Sequence, residues 1–185
     1  MIYAGNEAWD EKHIGSEKTL NNNLEDYSVC CGKYVDNWNP DITLVCDNKR
    51  ECVVPDWVSN VDGWKVVSQR FIDAVSHLEN GNIQYLPIKI DAIQPQMNGK
   101  KYYVANVIKV IDAIDYENSD WFNMTAYRAV VRPALKKDKI GNNHIFIVKE
   151  DILSDRIFVS EEFKKAIQNA NLLGFHFTPV KKMVE

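Results

Sequence analysis

Four carboxylates fall within nine residues, Asp112, Asp115, Glu117 and Asp120, and Trp121 and Phe122 follow directly. Oxygen ligands in such a group suit a hard cation. A pair of them could also work as acid and base. A third use is an acidic patch laid against a basic partner surface. The plainest reading is a solvated strand exit. A metal-dependent hydrolase built on Asp112–Asp120 would also need the fold to bring a histidine into a deep pocket. A nuclease would be expected to carry Glu-x-Lys on a strand, and Glu162-Phe163-Lys164 has those letters only inside a segment that reads as a capped helix.

The other reactive residues are scattered. His13, His77, His144 and His176 are isolated along the chain and read as surface or structural histidines. Cys30, Cys31, Cys46 and Cys52 all lie in the first third. Adjacent Cys30 and Cys31 make no zinc knuckle, and five residues between Cys46 and Cys52 exceed the usual first loop of a zinc site. They read as reduced thiols packed as small hydrophobes. The eight glycines form neither a P-loop nor a G-x-G-x-x-G turn. No H-E-x-x-H or G-x-S-x-G is present. The expectation is a protein with no catalytic residue, no metal and no cofactor. Aromatic residues anchor many protein contacts, and Trp121, Phe122, Trp57 and Trp64 are the candidates here.

Composition narrows the partners. The chain has 185 residues, 45% apolar and 26% charged, with a formal net charge of −4. That charge offers no footprint for nucleic acid, and no apolar run approaches a membrane span. The N-terminus lacks the basic and apolar regions of a signal peptide. A cytoplasmic location is expected.

The elements that must position these residues are partly legible. Lys101–Asp115 is the longest apolar run, rich in β-branched residues on both faces, as in a covered central strand. Fully straight it would span about 46 Å, so a bend or bulge is expected near Asn106 or Lys109. Asn98-Gly99 just before it signals a hairpin turn. Further strands are expected at 42–46, 52–54, 83–90, 125–131, 144–149 and 175–180. Pro87 marks an edge or an interruption of its strand. Two helices begin at capping serines. Ser68 precedes Phe71, Ala74, Val75 and Leu78, with Gly81 as its stop. Ser160 precedes Phe163, Ala166, Ile167 and Ala170, with Gly174 as its stop. Both stripes follow helical spacing. The two units align at a spacing of 92 residues, which also pairs Pro87 with Pro179. They read as an internal strand–helix–strand repeat. The expected fold is α+β, a mixed or mostly antiparallel sheet packed by two capped helices. Residues 1–54 form a segment or small lobe packed on, or edging, a body of residues 55–185.

An ordered series of short strings carries a resemblance. It comprises Val66-Val67-Ser68-Gln69-Arg70-Phe71, Ile83 to Ile88, Tyr102 to Val107, Asp112-Ala113-Ile114-Asp115, Ile140-Gly141, His144-Ile145-Phe146 and Arg156 to Ser160. Over residues 55–180 the chain resembles immunity protein family eleven of bacterial polymorphic toxin systems, earlier catalogued as a domain of unknown function. The first 50 residues add nothing to the likeness. The resemblance implies a non-enzymatic protein that binds and neutralises the toxic domain of a cognate toxin encoded beside it. It brings no catalytic residues. Asp112, Asp115, Glu117, Asp120 and Trp121 become the expected partner-binding residues. The competing readings are a general protein-binding scaffold module and the metal-dependent hydrolase above.

Overall fold

The computed structural model describes residues 1–8, 10, 12–22, 29–46, 53–92, 99–125, 128–149 and 156–184. In chain order they form β1 (Ile2–Glu7), β2 (Gly15–Leu20), β3 (Thr43–Cys46), β4 (Trp57–Asn60), β5 (Val66–Ser68), α1 (Gln69–Val75), β6 (Ile83–Asp91), β7 (Tyr102–Val107) and β8 (Val110–Ile111). There follow β9 (Asp120–Asn123), β10 (Arg128–Arg132), β11 (Ala134–Lys136), α2 (Lys137–Ile140), β12 (Ile145–Val148), β13 (Ile157–Ser160), α3 (Glu161–Asn169), β14 (Phe175–Pro179) and β15 (Lys182–Val184). The described residues are thus mostly sheet with few helices. No helix among them is long and apolar enough to cross a membrane.

The strands make mixed sheets, and one closes on itself. β2, β3, β6, β7, β5 and β4 form a barrel in that order, sealed by the parallel pairing of β2 with β4 at Gly15 and Ser59. A small barrel is filled by its inward side chains, here Ile14, Ile42, Leu44, Val58, Val66, Leu86 and Val104. A five-stranded sheet runs β14-β1-β13-β12-β8. One of its faces sends Tyr3, Ile145, Ile147, Ile157 and Val159 into a core shared with α1, α3 and the barrel residues Trp57, Val67 and Ala105. The other sends Ile2, Ala4, Phe146, Val148 and Phe158 against Ile114, Val130, Leu135 and Ile140. β9 with β10, and β11 with β15, form two-stranded sheets.

The apolar run at residues 101–115 is therefore not one central strand of one sheet. It breaks at Ile108–Lys109, where a bend is expected. Before the break β7 belongs to the barrel, between β6 and β5; after it β8 pairs in parallel with β12 at the edge of the five-stranded sheet. One stretch thereby joins both bodies. The connection from β6 to β7 is longer than a two-residue hairpin, and Asn98 lies outside the described residues. The N-terminal residues are woven in: β1 lies between β14 and β13, inside its sheet, and β2 and β3 are barrel staves. Pro87 sits where β6 has one neighbour, since β3 joins only at Lys89. Its carbonyl accepts the Trp38 indole N–H at 2.7 Å. A strand residue points its nitrogen and its oxygen to the same side, so the ring nitrogen also faces away from β7.

Local chemistry explains the helices. Ser68 Oγ accepts the Phe71 N–H and Ser160 Oγ accepts the Phe163 N–H, each satisfying a donor of a first turn. Phe71 and Phe163 meet edge to face at 6.0 Å, and Phe175 stacks on Phe71 at 5.6 Å. Burial of the Phe71 and Phe163 rings contributes about 1.5–3 kcal/mol each. α1 ends at Val75, a turn before the expected Gly81 stop. α3 ends at Asn169 with Ala170 as its C-cap, and Asn171, not Gly174, takes the first left-handed position after it.

Candidate interaction surface

The carboxylates of the 112–120 segment do different things. Asp115 is turned into its own loop. Its Oδ1 accepts the backbone N–H of Glu117 at 3.0 Å and of Asn118 at 3.3 Å, and its Oδ2 accepts the Asn118 side-chain amide at 2.8 Å. Its carbonyl accepts the Ser119 hydroxyl at 2.6 Å. The Asn118 amide above all, then the two backbone donors, hold its carboxyl below the usual aspartate range. This is an Asx-type turn lock, and it accounts for the burial of Asp115.

Asp120 stands at the start of β9 between two cations. Lys181 Nζ donates to its Oδ1, and Arg132 Nε donates to its Oδ2 at 2.7 Å. The Lys181 bond, then the Arg132 bond, depress its pKa. Asp112 is exposed and lies 3.8 Å from Lys149 Nζ, at the far end of β12. Glu117 is exposed at the tip of the turn. The four carboxylates thus do not converge. Among the described residues no group of three or more histidine, cysteine, aspartate and glutamate side chains could hold a metal ion.

Trp121 is bound to the same turn. Its indole N–H donates to the Tyr116 carbonyl at 2.9 Å, and its ring meets Tyr116 edge to face at 5.8 Å. The Arg128 guanidinium, from β10, lies 4.7 Å from the Tyr116 ring centre and 4.9 Å from that of Trp121, a shared cation–π contact. Beyond it Phe122 and Met124 are exposed, and so is Val131 on β10. Phe122 was legible as a candidate from its place beside Trp121. Arg128 was not, because only the register of β9 on β10 sets it on the face of the pair that carries Trp121, with Phe122 on the other face.

The remaining candidates are structural. Trp57 and Trp64 are buried in the two adjoining cores. Cys30 and Cys46 pack as small apolar groups inside the barrel, Cys31 is half-buried, and Cys52 lies outside the described residues. His144 comes near Ser160 and Glu162, but a serine–histidine–carboxylate relay puts the two partners on opposite ring nitrogens. Here Ser160 Oγ at 2.8 Å and Glu162 Oε2 at 3.4 Å both face Nδ1. Ser160 Oγ is also committed to the cap of α3. Beside α1 a cleft of about 320 Å³ is lined by Asp56, Ser68, Gln69 and Arg70 with residues 99–102. Its carboxylate is held internally: Asp56 accepts from Ser68 Oγ at 2.6 Å, from Arg70 at 3.0 Å and from the Leu173 N–H at 3.0 Å.

With this geometry in hand, comparison with known proteins adds one match. The family model described as "Immunity protein family (Imm11)" matches residues 7–182. It takes in nearly all of the N-terminal region as well as the span where the likeness was legible. No curated protein shows significant similarity to the chain.

Proposed function

Because the chain belongs to the Imm11 immunity protein family, we propose that it acts in the bacterial cytoplasm as the immunity partner of a polymorphic toxin. It binds the toxic domain in fixed stoichiometry and either blocks the active site or holds the domain inactive. The match over residues 7–182 carries this reading. The contact surface includes the segment from Asp112 to Trp121. In it Asp115 shapes the turn, Glu117 presents its charge at the tip, Asp112 and Asp120 stand paired with Lys149, Arg132 and Lys181, and Trp121 supplies aromatic area. The neutralising role needs no catalytic group.

The test is co-expression. The toxin domain encoded beside this chain is induced in a sensitive host, with and without the chain. Restored growth, together with a stable complex on size-exclusion chromatography, is the expected result. Absence of both rescue and complex overturns the reading. Within the complex, Trp121→Ala is expected to weaken binding by about tenfold; unchanged affinity removes the segment from the interface.

A further inference from the structure

β14 is an outer strand of the five-stranded sheet, and its backbone turns a row of hydrogen-bonding groups away from its one neighbour, β1. The register on β1 fixes which ones. Val180 N–H donates to the Ile2 carbonyl at 3.1 Å, and Ala8 N–H to the Gly174 carbonyl at 2.9 Å. Gly174, His176, Thr178 and Val180 are therefore the residues that bond to β1. Phe175, Phe177 and Pro179 turn their backbone groups to the other side. Among the described residues nothing bonds to the N–H or C=O of Phe175 and Phe177. Lys181, next in that series, is already used: its N–H donates to the Pro133 carbonyl at 3.0 Å.

An open edge is a template for a further strand, and chains guard it with charges and prolines. Pro179 closes one end by withholding an N–H. Residues 174–179 hold no lysine, arginine, aspartate or glutamate, so the rest is unguarded. Nor do the rings shield it. A Cβ on Gly5 would lie 3.6 Å from Phe177 Cε1, so that ring leans over β1. Phe175 stacks between Phe71 and Phe177, at 5.6 and 6.3 Å, with interplanar angles of 3° and 11°. Phe175 and Phe177 are half-buried on one face of the edge, while His176 and Thr178 are exposed on the other.

We propose that an extended segment of the toxin pairs with β14 as a sixth strand of this sheet. This rests on the immunity reading above. Phe175 and Phe177 each give the segment one donor and one acceptor, and the Pro179 carbonyl gives a further acceptor. Another extended backbone is what matches groups at that spacing. On the face of the rings the segment carries apolar residues two apart, and on the other face polar ones. The edge is held by its sheet and by the stacked rings, so little ordering is needed on this side. It is also continuous with the contact segment described above, because Lys181 donates to Asp120 and Lys182 donates to Asn118 at 3.4 Å. β14 has five residues, and pairing over those alone falls short of the roughly 1,000 Å² of a specific interface. That favours a partner spanning edge and segment together over a second copy joined edge to edge.

The probe is the neighbouring toxin domain with its own active site disabled, and amide hydrogen exchange is read by NMR on the full chain. In the free chain the Phe175 and Phe177 amides are expected to exchange fast, and those of His176 and Thr178 slowly. Saturating toxin is expected to slow Phe175 and Phe177 roughly tenfold or more. By calorimetry, Phe177→Pro is expected to weaken binding roughly 30-fold, and Phe177→Leu, which keeps the N–H, by no more than about fivefold. Circular dichroism checks that both variants are folded; the exchange measurement on the wild type decides the matter if the proline variant is not. If the wild type binds while Phe175 and Phe177 exchange as fast as before, this inference fails and the immunity reading stands. Wild-type affinity in folded Phe177→Pro has the same meaning. If the wild type neither binds nor protects the host, the immunity reading has failed and the inference with it. Slowing of the two amides as the chain alone is concentrated would assign the edge to a second copy and overturn the proposal.

Discussion

Asp115 turns both carboxylate oxygens onto the loop that follows it, and the ionised form is the one those donors favour. Its pKa is depressed in the folded protein. The stabilisation is therefore present above the unfolded aspartate value of 3.8 and is lost as pH falls through the lower folded value. Asp115→Asn removes that dependence. At neutral pH the variant is expected to be the less stable, and its thermal midpoint converges on that of the wild type as pH falls from about 5 through the depressed folded value. Parallel curves over that range would contradict the assignment. The sequence showed that four carboxylates are close together along the chain. It did not show that one locks a turn, another takes two cations and a third lies beside Lys149. Those roles depend on Arg132, Lys149 and Lys181, which are 12 to 61 residues away from their partners.

Glycines bear on how the elements are joined. The loop after α3 is stitched to the start of β4, where the Asp56 and Trp57 N–H groups donate to the Leu173 carbonyl at 2.8 and 3.1 Å. Gly174 follows at φ +92°, and a Cβ there would come within 2.5 Å of the Trp57 carbonyl oxygen. Gly81, also left-handed at φ +73°, has nothing within 4 Å of such an atom. Gly174→Ala is expected to cost about 3 kcal/mol or more in urea unfolding, from backbone overlap added to strain. Gly81→Ala should cost only the strain, about 1 kcal/mol. Equal losses would show that the close approach to Trp57 is not maintained. Both glycines read as helix stops in the sequence. What singles out Gly174 is a contact with a strand more than a hundred residues earlier.

The molecule as a whole is held by shared structure. The stretch from Tyr102 to Ile111 serves the barrel and then the five-stranded sheet, and one core draws on barrel residues and sheet residues together. A strap over residues 29–39 is tied to the barrel by fully buried Asn106, which accepts the Cys30 N–H at 3.0 Å and donates to the Lys33 carbonyl at 2.8 Å. Barrel and sheet should then unfold together. Leu44→Ala in the barrel and Phe158→Ala in the sheet are each expected to cost about 3–4 kcal/mol and to lower one common transition. Two transitions, each moved by only one variant, would contradict this. The family match spans the same whole, residues 7–182.

Sequence alone determined the features whose causes are local. The capping serines act on N–H groups three residues ahead. A run as long as Lys101–Asp115 had to bend, and it does so at Ile108–Lys109. The ordered short strings marked the family. Tertiary structure decided which sheet each strand joined, because strand partners are set by contacts as distant as Ala4 with Phe158. It also buried Trp57 and Trp64, which no spacing distinguishes from Trp121. It divided an apparent acidic patch into Asp115 turned inward, Asp112 and Asp120 paired with cations, and Glu117 exposed. Charge and exposure belong to surfaces, and only a folded chain has one.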